Sequence, residues 1–170
     1  MKLGRIAFAT ILGLFLVVSC GEEKKEKKGF SYERTSETKT ESTSESDVAD
    51  LTITGNDLMK FNKSELKAKA GQKVKITLRH IGKADKMVMG HNVVILKPGT
   101  DVAAFAGKAA MSKDNDYIPE GTTDVVAHTK MIGGGETAVV EFTAPEAGEY
   151  DFICSFPGHF GMMKGKFIVE

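Results

Sequence analysis

Apolar residues recur at every second position over much of the chain. In KVKITLRH, residues 73–80, Val74, Ile76 and Leu78 fall on one side and Lys73, Lys75, Thr77 and Arg79 on the other. That period of two predicts a strand with one wet face. DLTITGND (50–57) and TAVVEFTAP (137–145) alternate in the same way, and the first ends in a turn signal. HNVVILKPG (91–99) reads as a strand stopped by Pro98-Gly99, and TDVVAHTKMI (123–132) as one stopped by the turn GGGE (133–136). GEYDFIC (148–154) and KGKFIVE (164–170) complete the set. TDVAAFAGKAAM (100–111) is the one good helix, rich in Ala, with Thr100 or Asp101 able to cap it. Short strands separated by turn signals predict an all-β sandwich or barrel, with a short helix at about 100–112 outside it. A domain over 49–170 is long enough for one core.

The first 48 residues do not share this pattern. Lys2 and Arg5 precede an apolar run from Ile6 to Val18. The run is shorter than the roughly 20 residues a spanning helix needs. It reads as a signal peptide over 1–19, which implies export. Leu16–Cys20 reads LVVSC and precedes Gly21, which resembles a bacterial lipoprotein box. That resemblance implies cleavage before Cys20 and lipid on its sulfur; ordinary secretory cleavage is the competing reading. Residues 20–48 then carry EEKKEKK and RTSETKTESTSESD, with one Phe and one Tyr to bury. Such a composition cannot offset the entropy of ordering and predicts a disordered tether.

Charge narrows the function classes. Lys+Arg and Asp+Glu number 23 each, so no net field points to nucleic acid or an acidic membrane surface. The expected contact with a membrane is through the N-terminal lipid alone. The sequence holds no phosphate-binding loop, because GGGE lacks the strand–loop–helix context. The chain has two cysteines, Cys20 and Cys154. With Cys20 lipidated, Cys154 has no disulfide partner. A lone thiol in an exported protein tends to oxidise unless it is buried or bound to metal.

The chemistry concentrates in YDFICSFPGHFGMMKG, residues 150–165. Cys154 ends a strand, and the loop behind it carries His159 and Met163 in the spacing Cys-x4-His-x3-Met. Pro157 stiffens this loop, and Gly158 and Gly161 allow it to turn back. Thiolate, imidazole and thioether together select a soft metal, and zinc rarely takes Met. Two His and one Cys in a plane with a weak axial Met define a blue-copper site. The second His is to be found among His80, His91 and His128. Local context favours His91, which opens a strand between Gly90 and Asn92. His80 reads as a hydrogen-bonded core residue and His128 as an exposed one.

The segments GNDLMKFN, VMGHNVV, DYIPEGTTDVVAHTKMIGGGE and CSFPGHFGMMKG resemble the azurins, bacterial blue-copper proteins of the cupredoxin fold. They follow the azurin order across essentially all of 49–170. The resemblance implies a Greek-key sandwich of about eight strands. It implies one copper ion held by His91, Cys154 and His159, with Met163 as long axial ligand and the carbonyl of Gly90 opposite. Asn92 would tie the two ligand loops together, and the Phe156 N–H would point at the Cys154 sulfur. Met89, Phe156, Pro157 and Met162 would keep an apolar docking patch around the edge of His159. Three departures accompany the match. Ala49 and Gly71 stand where azurins have a disulfide, Val93 where they have a buried Trp, and Ala84-Asp85 make one rim of the patch smaller and more polar.

The function implied is a periplasmic one-electron carrier cycling Cu(II)/Cu(I), not an enzyme, and monomeric or weakly associating. Its expected partners are redox proteins such as c-type cytochromes, a copper nitrite reductase or a peroxidase. A copper storage or delivery protein is the alternative. A third reading makes Cys154 a nucleophile with His159 or His91 as its base, but it leaves Met163 and Gly90 without a role.

Overall fold

The structure is a computed structural model, and residues 47–170 are described. The leader, Cys20 and the tether lie outside the described residues.

Strand β4 (Lys73–His80) buries Val74, Ile76, Leu78 and His80, and its alternate side chains face outward. Its register fixes one sheet. β1 (Val48–Asn56) runs parallel to it, with Leu51 opposite Ile76 and Gly55 opposite His80. β7 (Thr137–Thr143) is antiparallel on the other side, with Val140 opposite Ile76. β2 (Lys60–Phe61) closes the edge beyond β1, so the order is β2-β1-β4-β7. On the wet face this register lines up Asp50, Lys75 and Glu141 across three strands. Lys75 Nζ lies 3.0 Å from Asp50 Oδ2. Opposite charges placed directly across strands support the pairing.

The second sheet has the order β3-β9-β8-β5-β6. Its strands are β3 (Glu65–Ala68), β9 (Lys164–Val169), β8 (Gly148–Ile153), β5 (Val94–Leu96) and β6 (Val125–His128). Ile53, Ile76, Leu78, Ile95, Phe152 and Phe167 fill the space between the two sheets. Val93, in the place of the azurin Trp, is buried among them. Where the resemblance expects a disulfide, backbone bonds hold the 70–72 turn. Gly71 N–H donates to Ala144 at 3.1 Å, Ala144 N–H to Gln72 at 2.8 Å, and Ala70 N–H to Glu170 at 2.8 Å.

The Ala-rich helix is shorter than its pattern suggests. It spans Val102–Ala109, and Asp101 rather than Thr100 caps it, its Oδ1 accepting from the amides of Ala103 and Ala104. Phe105 and Ala109 pack on Val94, Leu96 and Ile153, covering the outer side of the second sheet. A four-residue helix α1 (Lys86–Met89) and a 3-10 turn at Lys113–Asn115 also form, so the Ala-rich segment, α2, is not the sole helix. Among the described residues nine strands form where about eight were expected, because Lys60–Phe61 and Glu65–Ala68 are too short to register as a period. Among the described residues no helix is long and apolar enough to cross a membrane.

Gly165 shows how tightly the second sheet closes. A Cβ there would lie 2.4 Å from Phe152 Cζ and 2.4 Å from the Ser64 carbonyl. Both neighbours are held, one in the core and the other by accepting the Lys166 amide at 2.8 Å. Gly165→Ala is therefore expected to cost about 1–3 kcal/mol, the range of overpacked cores. Urea unfolding should show the midpoint fall; an unchanged midpoint would mean that β9 yields without cost.

Candidate metal centre

Four backbone segments converge at one end of the sandwich. β8 ends at Ile153 and delivers Cys154, while β9 begins just after Met163. The Cys154 amide donates to the Met163 carbonyl at 2.9 Å, and the Met163 amide to the His159 carbonyl at 2.8 Å. The loop thus folds His159 back over the cysteine. His91 comes from the other side, bridged to Ile132 by backbone bonds of 2.9 Å in both directions.

These residues meet. Cys154 Sγ lies 3.9 Å from His91 Nδ1, 3.7 Å from His159 Nδ1 and 3.7 Å from the Gly90 carbonyl. Donor atoms of His91, Cys154 and His159 all fall within 4.8 Å of one another. Cys154, His91 and Met163 are fully buried, and His159 is 3% exposed. His80 and His128 do not join them. His80 is buried, stacks on His91 with centroids 4.3 Å apart, and its Nε2 lies 2.8 Å from the Met89 carbonyl. His128 is exposed.

The spacing fits a metal ion. Metal–nitrogen bonds of about 2.0 Å and a metal–sulfur bond of about 2.3 Å, set about 120° apart, put nitrogen and sulfur about 3.7 Å apart. The two measured separations, 3.7 and 3.9 Å, need little adjustment. The donor set decides which ion. One thiol, two imidazoles and a buried thioether match copper better than zinc. His91, Cys154, His159 and Met163 are arranged as a copper site.

The orientation of each ligand has a cause. His91 Nε2 lies 2.9 Å from the Asn56 carbonyl, which accepts its proton and leaves the Nδ1 lone pair facing the sulfur. Asn92 spends its whole amide on the neighbouring loops. Its Oδ1 accepts from the Ser155 amide at 2.9 Å, and its Nδ2 donates to Ser155 Oγ at 2.8 Å and to the Asp116 carbonyl at 3.0 Å. The last bond anchors a strained turn, since Asp116 and Tyr117 both have positive φ, 51° and 57°. Tyr117 packs against Phe156 and Phe156 against His159 in tilted ring contacts, with centroids 5.3 and 4.6 Å apart. Of the residues expected to form the apolar patch, Met162 is 61% exposed, Met89 and Phe156 are half-buried and Pro157 is exposed. The polar rim has its own structure: Asp85 caps α1, and Asp57 accepts from the amides of Lys83 and Ala84 at 2.8 and 3.2 Å.

Electrostatics at the site are set by burial. Loss of water pushes the Cys154 thiol up to about 12, although the amides of Asn92 and Phe156 point at its sulfur and pull the other way. An enclosed thiol with a raised pKa is a poor nucleophile, which removes support for the enzyme reading. Burial lowers His91 and lowers His159 to about 4, with the neighbouring imidazoles adding repulsion.

These shifts predict the stability profile of the copper-free protein. His159 titrates near 4 folded and near 6.5 unfolded, so the unfolded chain holds more protons between those values. Stability should therefore fall as pH drops from about 6.5 to about 4. Cys154 titrates near 12 folded and near 9.0 unfolded, so the folded chain holds the extra proton there. Stability should also fall as pH rises from about 9 to about 12. Urea unfolding across the pH range should give a plateau between the two windows. A maximum below pH 5 would contradict the burial of His159.

Sequence reasoning did not assign roles to Asn56, Ser155, Asp116 or Gly55. Asn56 and Asp116 act through backbone carbonyls, which no side-chain motif reveals. Comparison with known proteins agrees with the geometry. A family model described as copper binding proteins, plastocyanin/azurin family, matches residues 47–170. Azurin of Alcaligenes faecalis is 44% identical over 122 residues, covering 69% of this chain and 95% of that protein. Outer membrane protein H.8 of Neisseria meningitidis is 42% identical over 118 residues, covering 68% of this chain and 64% of that protein. Among solved structures, auracyanin A of Chloroflexus aurantiacus, a blue copper protein, aligns with a TM-score of 0.66 at 32% identity, covering 72% of this chain and 99% of that one. The two-sheet sandwich is thus a cupredoxin fold, and the chain belongs to the plastocyanin/azurin family of copper-binding proteins.

Proposed function

We propose that this protein is a one-electron carrier of the blue-copper type, exported and held at a membrane by lipid on Cys20. The observation that carries the reading is the preformed triangle of Cys154 Sγ and the Nδ1 atoms of His91 and His159, buried next to Met163. Bound copper supplies a Cu(II)/Cu(I) couple. His91, His159 and the Cys154 thiolate would hold it, with the Met163 thioether and the Gly90 carbonyl as further donors beside the sulfur. Cys154 gives up its proton when the metal binds. The amides of Asn92 and Phe156 then stabilise the thiolate, and Asn92 keeps the two ligand loops in register.

His159 is the group through which an electron would leave. Every buried side-chain nitrogen or oxygen among the described residues has a hydrogen-bond partner, and His159 Nε2 has none, so that atom reaches the surface. Met89, Phe156, Pro157 and Met162 surround it with apolar surface suited to brief docking. Partners such as a c-type cytochrome or a copper nitrite reductase fit this chemistry. The storage or delivery reading is weaker, because exchange needs open ligands and these are enclosed. The lipoprotein box and the likeness to a protein named as an outer membrane protein support a membrane-held, periplasm-facing carrier.

One equivalent of Cu(II) should give an intense blue band that ascorbate bleaches and a mild oxidant restores. Cys154→Ser should abolish the band, since it arises from thiolate-to-copper charge transfer; a retained band would sink the assignment. Met163→Leu should keep the colour and shift the potential, because the axial bond is weak. A large loss of copper affinity would instead make Met163 a primary ligand.

A further inference from the structure

His91 is pressed from three sides. Its Nε2 is tied to the Asn56 carbonyl, His80 stacks on one face with an interplanar angle of 14°, and strand β1 passes close to its Cδ2 edge. The residue of β1 at that approach is Gly55. Its φ lies outside the left-handed region, so backbone conformation does not require glycine there. Space does. A Cβ on Gly55 would lie 2.7 Å from His91 Cδ2, 3.3 Å from His91 Cγ and 3.3 Å from Met163 Cε.

The strand cannot retreat to make room. Gly55 pairs with His80 of β4 on one side and Phe61 of β2 on the other. Its carbonyl also accepts the Ile81 amide at 2.8 Å. A side chain at this position would have to turn the His91 ring against its own hydrogen bond, and would press on the Met163 methyl as well. Those two groups are among the residues that would hold the copper.

We infer that Gly55 is a positioning residue for the copper centre: the missing side chain sets the seat of the His91 ring and the approach of Met163 together. The inference rests on the blue-copper reading of the site. It differs in kind from the hydrogen bonds to Asn56 and Asn92, because it acts by exclusion. A Cβ at this one position would press on His91 and Met163 alike, so a substitution there disturbs both donors at once.

The test compares the copper-loaded wild-type protein with Gly55→Ala and with Gly107→Ala, where a Cβ meets nothing within 4 Å. Gly55→Ala should still bind copper but show altered visible-band intensities, an altered electron paramagnetic resonance spectrum and a shifted potential. Gly107→Ala should match the wild type. A Gly55→Ala protein with wild-type spectra and potential overturns the inference and leaves the site reading intact. A wild type without a blue band overturns the site reading itself. A second comparison, independent of whether the crowded Gly55→Ala folds, removes the crowding first. In His91→Gly, added imidazole should restore the blue spectrum. In Gly55→Ala/His91→Gly its affinity should be weaker on the order of ten-fold, the scale of one overpacked methyl group. Equal imidazole affinities in the two backgrounds would overturn the positioning role.

Discussion

Burial of the Cys154 sulfur without a charged partner is the constraint around which the rest of the site is arranged. The thiol is fully enclosed, and the protein offers it two amide N–H groups and two imidazole nitrogens but no cation. A thiolate there would be costly to form alone, and burial raises its pKa to about 12. The same enclosure lowers the pKa of His159 to about 4, so its imidazole is neutral at neutral pH and has a lone pair to offer a metal. A set of neutral nitrogens around a reluctant thiol is stable as a protein and receptive to a soft cation. Copper supplies the charge that the pocket lacks, and its binding must release the thiol proton.

The sandwich makes this arrangement rigid by ending several strands at one place. Cys154 and Met163 flank the loop between β8 and β9, and a backbone bond joins them. His91 follows Gly90 at the end of α1 and is pinned to Ile132. Gly55 and Asn56 lie at the end of β1, opposite His80 and Ile81. Cys154, Met163 and His91 are thus held next to a ladder or by a bridge, while His159 is held by backbone bonds within its own loop to Phe156, Met162 and Met163. A centre that must serve two oxidation states with little rearrangement gains from ligands whose rotamers are already fixed.

Much of this was legible in the sequence, for identifiable reasons. Alternation in KVKITLRH and TAVVEFTAP reports strands because one face packs on the core, fully buried along β4 and partly buried at Val140 and Phe142 of β7. Lys60–Phe61 and Glu65–Ala68 escaped because two and four residues carry no period. α1 escaped because KMVM has an Asp cap but no buried face to mark it. The helix at 102–109 was visible through its alanines, yet its ends were set by the Asp101 cap and not by composition. At the site, side chains with unusual chemistry announced themselves: Cys154, His159 and Met163 in one loop, with Gly90-His91-Asn92 far upstream. What stayed hidden was backbone. The Asn56 carbonyl on His91, the Asp116 carbonyl on Asn92 and the bare Cα of Gly55 involve no distinctive side chain, only register.

The two histidines show why that hidden backbone matters. They present the same atom, Nδ1, to the same sulfur at nearly the same distance, 3.9 and 3.7 Å. Residue type and metal geometry do not tell them apart. Their other nitrogens do. His91 Nε2 is closed off by the Asn56 carbonyl in a fully buried residue, while His159 Nε2 has no such partner in a residue that is 3% exposed. Phe156 lies against the ring of His159, and His80 of β4 and Gly55 of β1 lie against that of His91. On the proposed function, an electron would pass between the sulfur and a docked partner through His159, since the alternative crosses packed strands. The direction of exchange would then be set less by the ligands than by which imidazole the backbone leaves open.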